Sequence, residues 1–171
     1  MNLPGIYKVL VITLSDRAFR GEYEDLSGPL VMRRMDEFMK SEGWEHSIGL
    51  KLIPDDPEKL DQLIRKSSDD FDIIFTTGGT GIGPRDITVD TVKPLLSKEM
   101  PGIMEYIRVK YGVEKPNALL SRGIAGITGK SLIYTLPGSV KAVDEYMTEI
   151  LRTVKHTLLM FHGIDSHQNN Q

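Results

Sequence analysis

The sequence predicts an α/β fold, a three-layer sandwich in which helices flank a mostly parallel sheet. Three short runs of apolar and β-branched residues are typical of buried strands: YKVLVITL, SIGLKLI and FDIIFTT. Amphipathic helical patterns separate these runs, which is the alternation expected of βαβ units. With 171 residues, of which 40% are hydrophobic, the chain is long enough to bury one core. We therefore expect one domain over residues 1–161 and a polar tail over 162–171.

Three predicted helices carry start signals. The first begins near SGPL, where Pro29 suits a first turn, and ends before Gly43. The second begins at Pro57, with Asp56 as its N-cap. The last follows Ser139 and places apolar residues at helical spacing: Val140, Val143, Met147, Ile150, Val154 and Leu158. Two further helical stretches are expected around TVDTVKPLLSKE and PGIMEYIRVKYG, and GIAGIT with SLIYTLPG predicts a hairpin or a pair of later strands.

Composition excludes several classes of function. Twenty-one Lys and Arg residues against 24 Asp and Glu residues give a net charge of −3, so nothing favours a nucleic-acid partner or an anionic membrane surface. The chain has no cysteine, which removes disulfides, thiolate nucleophiles and cysteine metal sites. The N-terminal apolar run is too short to span a bilayer. We expect a cytoplasmic protein. An anionic ligand would have to be held by a local group of residues, because the net charge of the chain does not attract it.

The stretch FTTGGTGIGPRD follows the third predicted strand and holds four glycines from Gly78 to Gly83. We call residues 78–86 the glycine loop. Glycine lets a main chain approach a phosphate closely and reach positive φ. The spacing matches neither the P-loop pattern nor the dinucleotide fingerprint. The loop leaves the carboxyl end of a strand, where parallel sheets bind ligands, but a purely structural turn is an equal alternative.

Two acids, Asp55 and Asp86, fall just past the carboxyl ends of predicted strands. One crevice could hold them together with a phosphate, and Mg²⁺ is typically held by one or two carboxylates plus phosphate oxygens. For either acid alone, helix capping or plain solvation is the competing explanation.

Further candidate site residues follow the first predicted strand or flank the last two. They are Ser15, Asp16, Arg17, Ser121, Arg122, Pro137, Gly138, Ser139 and Lys141. A helix that begins near Ser139 would favour an anion at its N-terminus. Ser139 could equally be a simple N-cap, and the loop after the first strand could merely cover the sheet edge.

Five elements occur in order: TLSDR with GEYEDLSGP, LIPDD, TTGGTGIGPRDIT, EMPG, and ALLSRGIAGITGKSLIYTLPGS. Together they resemble the molybdenum cofactor biosynthesis family that includes the bacterial MogA and MoaB proteins and the G domains of plants and gephyrin. The resemblance runs from about Val9 to Leu158, nearly the whole chain. It departs after Asp86, where this chain reads ITVDTV and many members read VTPEAT, and at PGSV in place of PGSP.

The resemblance implies a molybdopterin-binding domain over residues 1–161. Active members transfer AMP from Mg-ATP to the terminal phosphate of molybdopterin and release pyrophosphate. Asp55 and Asp86 match the two acids associated with activity, so the resemblance assigns them metal binding and phosphoryl alignment. The residues that it assigns to the nucleotide, the pterin and its phosphate are Ser15, Asp16, Thr77, Gly78, Gly79, Thr80, Gly81, Ser121, Arg122, Pro137, Gly138 and Ser139.

The resemblance leaves the role of the chain open between two classes. Some MoaB-like members bind molybdopterin without clear catalytic necessity, and gephyrin uses this fold as a scaffold. The resemblance also implies a homotrimer and leaves room for a downstream metal-insertion protein as a partner. Met100, Ile103, Met104 and Tyr106 could face a neighbouring protomer or belong to the core.

Overall fold

The computed structural model describes residues 3–164. Its strands are β1 (Tyr7–Leu14), β2 (His46–Ile53), β3 (Ile73–Thr77), β4 (Lys98–Glu99), β5 (Ala125–Thr128) and β6 (Ser131–Leu136). Its helices are α1 (Asp16–Phe19), α2 (Ser27–Ser41), α3 (Pro57–Ser67), α4 (Thr88–Val92), α5 (Pro101–Gly112) and α6 (Val140–Phe161), with 3₁₀ turns over Lys93–Leu95 and Pro116–Leu120. Most of the expected polar tail, residues 165–171, lies outside the described residues.

The six strands form one sheet in the order β2-β1-β3-β6-β5-β4. Strands β2, β1, β3 and β6 are parallel, and Phe75 in the middle of β3 pairs with Val11 on one side and Tyr134 on the other. Strand β5 runs antiparallel to β6, and β4 runs antiparallel to β5. The prediction of a mostly parallel sheet is confirmed.

Helices cover both faces of this sheet. One buried cluster joins α2, α5 and α6 to the face that carries Val9, Val11 and Phe75. A second joins α3 and α4 to the opposite face, which carries Leu10, Ile12 and the other buried strand residues. All five residues of β3 are buried, as expected for a central strand covered on both sides. The predicted three-layer α/β sandwich is therefore confirmed.

Two of the predicted helix starts are confirmed by cap geometry. The Asp56 side chain accepts the amides of Glu58 and Lys59 at the start of α3, and Ser139 accepts the amide of Ala142 at the start of α6. Helix α2 begins where predicted, but its cap comes from Asp25, whose Oδ1 accepts the amides of Ser27 and Gly28.

Between the glycine loop and α5 the prediction was partly wrong. The stretch TVDTVKPLLSKE is not one helix, because α4 ends at Val92 and a 3₁₀ turn that contains Pro94 follows it. Lys98 and Glu99 then form strand β4 beside β5. The hairpin prediction is confirmed, since β5 and β6 pair across a turn in which Gly129 has a φ of +53°.

Helix α5 and the residue before it, Met100, carry the apolar residues that could face a neighbouring protomer or belong to the core. Met104 is 1% exposed and belongs to the core of the protomer. Met100 and Ile103 pack against that core, whereas Tyr106 is 49% exposed. Met104 therefore supplies no surface for a neighbouring protomer. No helix within residues 3–164 has an apolar stretch long enough to cross a lipid bilayer.

Candidate active site

The polar segments singled out in the sequence meet at one edge of the sheet. Strands β1, β2, β3 and β6 are parallel, so their carboxyl ends lie side by side and release the loops that begin at residues 15, 54, 78 and 137. Strand β5 is antiparallel, so its beginning comes to the same edge and brings residues 121–124 with it. This is the edge at which ligands bind in open α/β sheets.

The first cleft at this edge has a volume of about 260 Å³, and we call it the carboxylate cleft. Its lining residues are Leu14, Ser15, Asp16, Arg17, Asp55, Gly79, Gly83, Pro84, Arg85 and Asp86. It brings both predicted catalytic acids together with part of the glycine loop. Ser15 and Asp16 lie here too, where Ser15 caps α1 and its Oγ lies 2.7 Å from the Tyr23 hydroxyl.

Asp16 and Asp55 are connected by two hydrogen bonds, each from the backbone amide of one residue to the carboxylate of the other. The amide of Asp16 donates to Oδ2 of Asp55 at 3.2 Å, and the amide of Asp55 donates to Oδ1 of Asp16 at 3.0 Å. Burial raises the pKa of the Asp55 carboxyl, and the neighbouring charges of Asp16 and Asp86 raise it further, against the amide of Asp16 and the charge of Arg85. The cleft therefore holds negative charge that a cation would relieve.

Asp86 is enclosed by its own loop. Its Oδ2 accepts the amide of Gly83 at 2.7 Å, and a Cβ added at Gly81 would lie 2.7 Å from the same oxygen. Real Cβ atoms essentially never approach an oxygen this closely, so Gly81 leaves space that the carboxylate fills. The loop thus wraps around the acid.

Two loop positions require glycine for conformational reasons. Gly78 has a φ of +93° and Gly79 a φ of +67°, a region that other residues rarely adopt. A Cβ would overlap the carbonyl oxygen of Leu14 at the first position and the hydroxyl of Thr88 at the second. The amide of Gly78 donates to the carbonyl of Leu136 at 3.0 Å, so Gly78 shapes the loop and does not offer its N–H to a phosphate.

The second cleft lies at the start of α6 and has a volume of about 270 Å³; we call it the helix cleft. Its lining residues are Tyr111, Lys115, Asn117, Ala118, Ser121, Pro137, Ser139, Lys141, Ala142, Glu145 and Tyr146. The Ser121 hydroxyl accepts a hydrogen bond from Tyr146 at 2.9 Å, which fixes its position. Lys115 forms an ion pair with Glu145. Three of the predicted pterin residues, Ser121, Pro137 and Ser139, therefore share this cleft.

The two clefts adjoin where the backbones of Gly78 and Gly138 meet. A Cβ built on Gly138 would lie 3.4 Å from Cα of Gly78. Gly79 lines the carboxylate cleft, and both neighbours of Gly138 line the helix cleft. The contact between Gly78 and Gly138 thus lies between residues of the two clefts, and neither glycine has a side chain to separate them.

Some predicted site residues line neither cleft. Thr77 is buried at the end of β3, where its Oγ1 lies 2.9 Å from the Ser27 hydroxyl. The Ser27 and Thr13 hydroxyls both donate to the carboxylate of Asp25, so Thr77 belongs to a network that joins β1, β3 and α2. Thr80 is 4% exposed, and its carbonyl accepts the amide of Arg122. The Arg122 side chain also lines neither cleft, and it contacts the loop at the carbonyls of Gly81 and Asp86.

Sequence reasoning missed several lining residues of both clefts. Arg85 in the carboxylate cleft could have been predicted, because it directly precedes Asp86 in the sequence. Tyr111, Asn117 and Tyr146 in the helix cleft carry no local signal, because α5, the following 3₁₀ turn and α6 bring them to the edge from distant positions.

The donors of the carboxylate cleft suit a hard cation. Within residues 3–164 no three or more His, Cys, Asp and Glu side chains are grouped to hold a metal ion. Magnesium does not need such a cage, since it commonly takes one or two carboxylates and completes its shell with phosphate oxygens and water. Asp55 and Asp86 each use one carboxylate oxygen for a backbone amide and have a second to offer.

Fold and site together define a class: a three-layer α/β protein with two adjoining clefts at the carboxyl edge of its sheet. The chain belongs to the MoCF_biosynth family, described as a probable molybdopterin binding domain, which matches residues 10–156.

Three similar proteins match most of this chain. The molybdopterin adenylyltransferase of Pyrococcus furiosus is 39% identical over 161 residues, 91% of each chain. The crystal structure of the tungsten cofactor synthesizing protein MoaB from Pyrococcus furiosus superposes with a TM-score of 0.77 at 39% identity, covering 92% of this chain and 98% of the other. Gephyrin of Dictyostelium discoideum is 39% identical over 155 residues, which is 86% of this chain, but the chain spans only 21% of the length of gephyrin.

Proposed function

We propose that this protein is a molybdopterin adenylyltransferase, which transfers AMP from Mg-ATP to the terminal phosphate of molybdopterin. One observation carries the proposal: Asp55, Asp86 and the glycine loop share a cleft that adjoins a second cleft across the backbones of Gly78 and Gly138. A reaction between two phosphate-bearing substrates needs such an arrangement. The name of the Pyrococcus furiosus relative supports the choice of substrates.

The carboxylate cleft would hold the nucleotide. Asp55 and Asp86 would hold Mg²⁺, which when bound neutralises charge on the phosphates and helps orient them. Arg17 and Arg85 line the same cleft and would add positive charge beside the polyphosphate. Gly79 lines this cleft without a side chain, so a phosphate could approach its backbone closely.

The helix cleft would hold molybdopterin. The N-terminus of α6 favours its phosphate, and Ser121 and Ser139 supply hydroxyl groups beside it. Tyr111 and Tyr146 offer aromatic and hydroxyl surface to the pterin. With volumes of about 260 and 270 Å³, both clefts fall just below the range of roughly 300–1,000 Å³ that ligand pockets occupy, so each substrate would extend towards the shared edge.

In the proposed step an oxygen of the pterin's terminal phosphate bonds to the α-phosphorus of ATP. The bond from that phosphorus to the oxygen that bridges to the β-phosphate breaks, and pyrophosphate leaves with the electron pair. The protein contributes alignment and charge neutralisation and forms no covalent bond. The two glycine backbones between the clefts would let the reacting phosphates meet.

The test is incubation with molybdopterin, ATP and Mg²⁺, followed by chromatography for the adenylylated pterin and an assay of pyrophosphate. We expect both products in equal amounts, and none when Mg²⁺ is withheld. Tight pterin binding without either product would replace this proposal with a non-catalytic MoaB-like binding protein, carrier or scaffold.

The proposal extends to assembly and location. We propose a cytoplasmic homotrimer that passes its product to a downstream metal-insertion protein. Sedimentation at three times the chain mass of 19.2 kDa would support the trimer, and a concentration-independent monomer would reject it. Co-purification of the product with such a partner would support the hand-over.

A further inference from the structure

The side chain of Arg122 reaches from the segment before β5 to the glycine loop. Its Nε donates to the carbonyl of Gly81 at 2.8 Å, and Nη2 donates to the carbonyl of Asp86 at 3.2 Å. Nη1 and Nη2 also donate to Asp90 at 3.0 and 2.9 Å. Four of the five N–H groups of the guanidinium are thereby engaged within the protein, which leaves little capacity for a substrate phosphate.

The backbone of Arg122 makes a third contact with the same loop. Its amide donates to the carbonyl of Thr80 at 2.9 Å. Arg122 therefore holds two carbonyls in the middle of the loop, at Thr80 and Gly81, and one at its end, at Asp86. A loop with this many glycines loses much conformational entropy when it is ordered, so these contacts matter for its shape.

Asp90 of α4 completes the arrangement from outside both clefts. It forms a two-pronged ion pair with Arg122, and its side chain is 70% exposed. Two-pronged pairs fix the plane of a guanidinium as well as its position. Asp90 lines neither the carboxylate cleft nor the helix cleft, so a change there alters the orientation of Arg122 without touching a substrate site.

We propose that Arg122 is a positioning residue that holds the glycine loop so that Asp86 faces the nucleotide, and that Asp90 orients it for this task. This assignment rests on the proposed adenylyltransferase function and replaces the expectation that Arg122 holds the pterin or its phosphate. The effect of Arg122 on the reaction passes through the backbone of the loop.

The experiment compares Arg122→Gln, Asp90→Asn and the double variant with wild type. We expect both single variants to lower kcat/KM for Mg-ATP about tenfold, because Arg122→Gln removes charge-assisted hydrogen bonds to the loop and Asp90→Asn weakens the bonds that orient Arg122. The Kd for molybdopterin, from titration of pterin fluorescence, should stay within about twofold in both. The double variant should lose little more than the single ones, because both changes break one connection.

Two further variants serve as controls. Arg122→Lys keeps the charge but lacks the planar fork, and it should restore little of the lost kcat/KM. Arg65→Gln breaks a surface ion pair with Asp61 on α3, whose residues line neither cleft, and it should change neither kinetic constant nor pterin affinity. Thermal melts of all variants confirm that folded protein is compared.

Two results would overturn the assignment. A pterin Kd raised tenfold in Arg122→Gln but unchanged in Asp90→Asn would make Arg122 a direct ligand. Wild-type kinetics in Asp90→Asn would remove Asp90 from the arrangement. Should the wild type show no adenylylation, hydrogen exchange still decides. The amides of residues 79–83, 85 and 86 should exchange faster in both variants than in wild type. Unchanged exchange rejects the positioning role independently of the reaction.

Discussion

Asp16 and Asp55 each donate a backbone amide to the other's carboxylate, at 3.2 and 3.0 Å, and so tie the ends of β1 and β2 together. The price of this closeness is repulsion between two carboxylates in a partly buried cleft. A bound cation would remove that repulsion. The same geometry that suits the cleft to Mg²⁺ therefore strains it without a cation, and this can be measured as stability.

Asp55→Asn should raise the melting temperature at about pH 7 in the presence of a chelator. Burial, and then the charges of Asp16 and Asp86, raise the pKa of Asp55 in the folded state. A raised carboxyl pKa means that stability falls as pH rises from the ordinary aspartate value through the raised one. Asparagine is neutral and can still accept the amide of Asp16. The difference should vanish near pH 3, where the carboxyl is protonated in both states. A lower melting temperature at neutral pH would contradict this account.

Asp86→Asn should lower the rate of adenylylation by about 100-fold or more, because it removes a charge that faces the proposed metal and polyphosphate. The amide oxygen of asparagine can still accept the Gly83 N–H, so the loop should keep its shape. The matched control is Asp69→Asn, an exposed acid at the opposite edge of the sheet, which should keep wild-type turnover. Equal turnover in both variants would remove Asp86 from the reaction.

Gly79→Ala should disrupt the glycine loop through backbone strain and through overlap of the added Cβ. Gly21→Ala separates these two effects. Both glycines have positive φ, +67° and +74°, so alanine costs about 1 kcal/mol or more of stability at either position. A Cβ at Gly21 meets nothing within 4 Å, whereas one at Gly79 overlaps the Thr88 hydroxyl. Gly79→Ala should therefore show the larger loss of stability in urea melts and also a loss of ATP binding. Similar losses for both variants would mean that backbone strain alone matters.

Ser139→Ala should lose about 1 kcal/mol of stability as a cap of α6 and should also weaken pterin binding. Asp56→Ala removes a comparable cap from α3 and leaves the helix cleft unchanged. Fluorescence titration of molybdopterin should therefore separate the two variants while chemical denaturation does not. If pterin affinity is the same in both, Ser139 is only a cap.

Met104→Glu should unfold the protomer, because it places a carboxylate in the core at a position that is 1% exposed. Val109 lies on the same helix and is 64% exposed, so Val109→Glu should leave the circular dichroism spectrum and the melting of the protomer close to wild type. A folded Met104→Glu chain would mean that this part of α5 lies outside the core.

Much of the fold can be predicted from residues that are neighbours in the sequence. The pairs Asp56–Pro57 and Ser139–Val140 mark helix starts through the capping chemistry of adjacent residues, and both are confirmed. Strand β4 could not be found this way, since Lys98 and Glu99 are exposed and form a strand only by pairing with β5. The division of the site into two clefts was also beyond the sequence, because the helix cleft depends on how α5 and α6 pack.

The reversal of β5 brings residues 121–124 to the edge where the parallel strands end, so the proposed contacts lie at one edge of the sheet. Asp69 and Asp70 lie exposed in the turn that leads into β3 at the opposite edge. Because the chain contains no cysteine, Asp69→Cys would create its single thiol. A fluorophore attached there would report on unfolding or on distances to a labelled nucleotide while the reactive edge stays chemically untouched.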